Sequence, residues 1–101
     1  MRKDLFEKVG KTFLTHASDQ DSSVTWNVGV EYFSAKDIDL FSMLKIRDCH
    51  KLVNLEFGCD TPKEGKQRLD KLDTLIQELQ TFRAALVEGL QKQQEALQWL
   101  K

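Results

Sequence analysis

The chain has 101 residues, of which 41% are hydrophobic and 31% charged, with one proline and five glycines. That length holds one domain, and that composition excludes the disordered, collagenous and low-complexity classes. Fifteen Lys and Arg against sixteen Asp and Glu leave a formal charge of −1, so no whole-molecule field draws the chain to nucleic acid or to an anionic membrane.

The N-terminus is charged from its start, and no apolar run approaches the roughly 18 residues of a membrane span. A chain without signal peptide or membrane helix is the expectation. Two cysteines are too few for a disulfide-stapled mini-protein, so a reducing, cytoplasmic setting is the default.

Over residues 2–17, Leu5, Phe6, Val9, Phe13 and Leu14 recur at helical spacing, with Arg2, Lys3, Lys8 and Lys11 mostly on the other side. This pattern predicts a short amphipathic helix. Residues 18–23, Ser-Asp-Gln-Asp-Ser-Ser, have nothing to bury and predict a loop.

From Val24 the period becomes two: Val24, Trp26, Val28, Val30 and Tyr32 share one face, opposite Thr25, Asn27, Gly29 and Glu31. A turn over 34–37 leads to a second strand, Leu40 to Arg47, of less regular alternation. A polar turn over 47–51 leads to a third, Leu52 to Cys59. Short connections make the three an antiparallel meander, since a parallel pair needs a crossover of a dozen residues or more.

Thr61-Pro62-Lys63-Glu64 supplies an N-cap, a proline at the first helical position and a glutamate three residues after the cap. From Leu69 the apolar positions step by three and four through Leu72, Ile76, Leu79, Leu86, Leu90, Leu97 and Leu100, with Arg83 and Gln93 out of pattern. One helix from about Pro62 to the C-terminus is predicted, with a break at Gly89 as the alternative. The expected fold is therefore α+β in the order α-β-β-β-α. Residues 1–60 form the helix and meander, and residues 61–101 form an amphipathic helix for sheet packing and oligomerisation.

Such a helix outruns its sheet, so Leu86, Leu90, Leu97 and Leu100 need a cover. With Leu69 as heptad position a, Leu75, Phe82, Gly89 and Ala96 fall at g and Val87 at e. The stripe is wider than a zipper seam and lacks the charged e/g pairs of a simple coiled coil. Phe82, Arg83, Leu86, Leu90, Leu97, Trp99 and Leu100 form the expected oligomer or partner interface. Arg83 reads as a device that sets register or as a side chain that snorkels to the rim.

Lys45, Arg47, His50 and Lys51 gather at the second hairpin as the candidate nucleic-acid contact, although charges at hairpin tips commonly serve solubility. Cys49, His50, Cys59 and the distant His16 lack the spacing of a zinc site, and His16 suits hydrogen bonding to the last carbonyls of the first helix. The meander separates the two cysteines too far for a disulfide. Asp37, Asp39 and Glu31 are read as a solvated turn rather than an acid–base pair.

No phosphate loop, nucleophile motif or cofactor motif is present. The expected function is a small non-catalytic interaction protein without cofactor. It self-associates and binds another macromolecule as adaptor, assembly factor or stoichiometric inhibitor, a make-up that suits a phage or mobile element. The alternatives are a nucleic-acid-associated protein and a ligand-sequestering oligomer.

Overall fold

The structure, a computed structural model, describes residues 3–14, 22–34 and 37–100, with the backbone alone described for Lys3, Asp4 and Phe33. The element order is β1 (Lys3–Phe13), β2 (Ser22–Ser34), β3 (Asp37–Asp48), β4 (Lys51–Glu56) and α1 (Pro62–Trp99). The strands form one antiparallel sheet in the order β1-β2-β3-β4. The chain divides into two compact units, residues Met1–Leu69 and Asp70–Lys101.

The order β-β-β-β-α overturns the expected α-β-β-β-α. The N-terminal segment is a strand rather than a helix, and the sheet has four strands rather than three. Two local features explain the difference. The register of β1 against β2 shifts between Asp4 and Phe6, so Leu5 is an extra residue that breaks the period of two and leaves a spurious helical spacing. Val9, Thr12 and Phe13 favour a strand over a helix, Gly10 disfavours the helix, and pairing to the strongly alternating β2 settles the matter. The lysines of this segment sit on an edge strand, where charge discourages further pairing. The candidate helix-end residue His16 lies outside the described residues.

Ser22 and Ser23, expected in a loop, begin β2 and are buried. The Ser22 hydroxyl donates to Asp48 Oδ1 at 2.6 Å, which ties the start of β2 to the end of β3. In the middle of that pair, Met43 N donates to Asn27 Oδ1 and Ser42 Oγ to the Asn27 carbonyl, each at 2.9 Å.

Both glycines within strands lie opposite an aromatic residue of the neighbouring strand, Gly10 opposite Trp26 and Gly29 opposite Phe41. A Cβ on either would collide with the facing ring. The rings therefore cover what the glycines leave bare.

The β3–β4 hairpin closes tightly. Asp48 pairs with Lys51, so the turn has only Cys49 and His50 at its centre, and Cys49 takes a φ of 55°. Two-residue hairpins need such mirror-image geometry to follow the strand twist, and glycine adopts it without the Cβ strain a cysteine incurs. Cys49→Gly is expected to stabilise the fold by about 0.5 to 1 kcal/mol, read as a higher urea midpoint. An unchanged or lowered midpoint would show that the cysteine is unstrained there.

Beyond β4, Leu40 and Cys59 form an isolated antiparallel bridge, with both N–H···O bonds at 2.9 Å. Helix α1 then begins where its sequence predicts. The Glu64 N–H donates to Thr61 Oγ at 3.3 Å, and the Thr61 hydroxyl donates to Glu64 Oε1 at 3.0 Å, a local variant of the capping box. Arg68 donates from Nε to the Gly58 carbonyl at 3.2 Å and meets Glu64 at 3.8 Å. The helix is continuous through Gly89, at about 57 Å of length for its 38 residues.

Candidate interaction surfaces

Residues paired across antiparallel strands point to the same side, so the register assigns each sheet face row by row. One face is apolar. Its rows are Thr12–Val24–Ile46–Val53, Gly10–Trp26–Leu44–Leu55, Lys8–Val28–Ser42–Phe57 and Phe6–Val30–Leu40–Cys59. Ile38 and Tyr32 extend it. Among the described residues its charges are confined to Lys8 and to the Asp48–Lys51 corner.

Little of this face is covered in the single chain. Phe57, at 9% exposure, is the buried apolar side chain among the described residues, while Phe6, Trp26, Ile38 and Val53 are exposed. A lone large apolar residue on a surface is ordinary, but a contiguous face of this extent is not.

The second, more polar face also carries Val9, Phe41 and Met43, and its charges are divided by sign. Lys11, Lys45 and Arg47 lie toward the β3–β4 turn, in rows with Thr25, Asn54, Ser23 and the exposed Phe13 and Leu52. Lys11 Nζ stands 5.0 Å from the centre of the Phe13 ring. Toward the other end Glu31 pairs with Asp39.

The four basic residues expected to act together are therefore split. Lys45 and Arg47 share the polar face, His50 is in the turn, and Lys51 pairs with Asp48 on the side to which Ser22 donates its hydrogen bond. Lys11 joins the first two only because β1 is a strand. The helical reading of residues 2–17 gave no reason to place it in one row with Lys45, across Thr25.

The third surface is α1. No residue of it is buried. Leu69, Ile76, Leu79, Phe82, Leu86, Val87, Leu90 and Leu97 are all exposed, and at 100° per residue they form one apolar stripe roughly 140° wide. Arg83 sits within the stripe and is exposed. Trp99, at 85% exposure, falls on the opposite side of the helix, and Leu100 follows the last helical residue.

Among the described residues the groups that carry catalytic chemistry are dispersed. Glu31 is buried at 8% exposure while its neighbour Asp39 is half-buried, so this pair is less solvated than a turn reading implies. Both cysteines are free, Cys49 in the turn and Cys59 at the bridge. Among the described residues no group of three or more His, Cys, Asp or Glu side chains is placed to hold a metal ion, and no helix is long and apolar enough to cross a membrane.

No family model, curated protein or solved structure matches the chain. Its surfaces alone guide the functional reading.

Proposed function

We propose that this chain is a non-catalytic interaction protein that works as a homodimer or higher oligomer and in that form engages another macromolecule, as an adaptor, assembly factor or stoichiometric inhibitor. The observation that supports this reading is the amount of surface left uncovered. Among the described residues Phe57 is the buried apolar side chain, and no residue of α1 is buried although it carries an apolar stripe.

Much of the uncovered surface is apolar, on the sheet and on α1. The free, exposed Cys49 suits a reducing compartment, which fits a cytoplasmic setting.

Sedimentation equilibrium in the micromolar range is expected to give at least twice the 11.7 kDa of one chain. A mass of 11.7 kDa without binding of a hydrophobic dye would overturn the reading.

The grouping of Lys11, Lys45 and Arg47 beside the exposed Phe13 supports a second reading, contact with nucleic-acid phosphates. Such contact must weaken steeply as salt rises. A salt titration of binding to single-stranded and duplex oligonucleotides separates it from the first.

A further inference from the structure

We propose that the more polar face of the sheet binds single-stranded nucleic acid across its end nearest the β3–β4 turn, with a base stacked on Phe13 and phosphates held by Lys11, Lys45 and Arg47. The inference rests on the phosphate contact of the second reading above. It adds the strandedness of the ligand and the ring that selects it.

The strand register alone brings these four residues together. Lys11 shares a row with Thr25, Lys45 and Asn54, and Phe13 shares the next row with Ser23, Arg47 and Leu52. Strands lie about 4.8 Å apart and alternate residues about 7 Å apart along a strand, so the four mark the corners of a patch roughly 10 Å by 7 Å. Neither row contains a carboxylate. The nearest on this face by register is Glu56, one row further on and opposite Met43. Val9, Lys11, Thr25, Asn27, Met43 and Lys45 line one groove, which offers a phosphate two cations, a hydroxyl and an amide.

Charge selects the occupant. Three cations without a carboxylate in their rows are costly to bury under apolar side chains, so the α1 stripe suits this patch poorly and a polyanion suits it well. The first turns of α1 also leave from the other side of the sheet. Pro62 and Gly65, in the same compact unit as the strands, border a groove lined by Val30, Ile38 and Leu40 of the apolar face.

The aromatic ring selects the strandedness. Phe13 is exposed, and Lys11 Nζ stands 5.0 Å from the centre of its ring, so one nucleotide meets a π-face and a cation together. Paired bases are already stacked on one another, whereas unpaired bases stack on an aromatic side chain whatever their identity. At the other end of the face, Glu31 and Asp39 repel phosphates. The track therefore runs across the strands, about 14 Å from β1 to β4, which is room for roughly two or three nucleotides.

Fluorescence anisotropy tests this with the full chain and a dye-labelled oligothymidine of about a dozen nucleotides, set against a duplex of the same length. At low salt the single strand is expected to bind at least about tenfold more tightly than the duplex, and to weaken steeply as salt rises. Phe13→Ala is expected to lose about fivefold or more of single-strand affinity with the salt slope unchanged. Lys45→Gln should flatten the slope of log K against log salt by about 0.7. Lys8→Gln, the same charge change on the apolar face, should leave it as in the parent.

A duplex bound as tightly as the single strand overturns the inference and leaves the phosphate contact standing. No salt-dependent binding to either overturns both, and a changed sedimenting mass in Lys45→Gln would then assign the face to contact between copies of the chain. Should Phe13→Ala fail to fold, Phe13→Leu keeps an apolar side chain of similar size without the ring. The same loss is expected of it, and binding at parental strength overturns the inference.

Discussion

Leu90→Asp combined with Leu97→Asp is expected to weaken self-association by at least a hundredfold and to remove much of the helical signal at low concentration. Both side chains are about half exposed on α1, so in the single chain the substitutions bury no charge. In an assembly that covers the stripe each carboxylate enters an apolar contact, where an uncompensated charge costs several kcal/mol. A hundredfold loss needs only about 2.8 kcal/mol.

The coupling to helicity follows from the absence of any buried residue in α1. Most helical stability in proteins comes from packing an amphipathic face rather than from propensity, so under the proposed self-association α1 draws it from the assembly. Ellipticity at the helical minimum should therefore fall on dilution in the parent as well, over the range in which its mass falls. Ala85→Asp with Gln91→Asp adds the same charge outside the stripe and should change neither quantity. Full association of the Leu90/Leu97 variant would show that the stripe is not the contact.

The contrast between α1 and β1 shows what made each element legible. In α1 the cap Thr61, Pro62 and Glu64 and the heptad series from Leu69 onward agree with one another, so the start is found at the expected residue and the helix runs on through Gly89. Its helical state is specified by local signals even though its packing is not. In β1 the local signals conflict. The extra residue at Leu5 breaks the alternation, after which one face carries Phe6, Lys8, Gly10 and Thr12 and the other Glu7, Val9, Lys11 and Phe13. Neither face is apolar, because β1 is an edge strand whose partner β2 supplies the deciding information at long range.

The same reasoning applies to the surfaces. The α1 stripe is visible as a list of leucines, because a single continuous helix carries them all up to Leu97. The apolar sheet face is visible in β2 from Val24 to Tyr32, but its extent needs the register. Ile38, Leu40, Leu44 and Ile46 of β3 line up with it although Phe41 and Met43 blur the pattern. The basic grouping of Lys11 with Lys45 depends on a strand pairing that no local pattern reveals.

Phe57→Ala is expected to be the most destabilising single truncation of the sheet, at about 3 kcal/mol or more. Phe57 follows β4 in the row where β3 offers only Ser42, to whose carbonyl the Phe57 N–H donates at 3.0 Å. At 9% exposure it is the buried apolar side chain among the described residues. Alanine keeps that backbone bond and removes the ring, so the loss is burial together with whatever cavity the surrounding chain fails to close. Against a total stability of about 5 to 15 kcal/mol this is a large fraction. The comparison is Leu52→Ala, a half-exposed leucine on the polar face, for which less than about 1 kcal/mol is expected. Urea titrations have to be run at one fixed chain concentration, because association adds to apparent stability by mass action. With unchanged slopes of about 1 to 3 kcal/mol per molar, the Phe57→Ala midpoint should drop by about one molar or more. If Leu52→Ala costs as much as Phe57→Ala, then both faces of the sheet are buried in the folded assembly, and the polar face is not the one left to water.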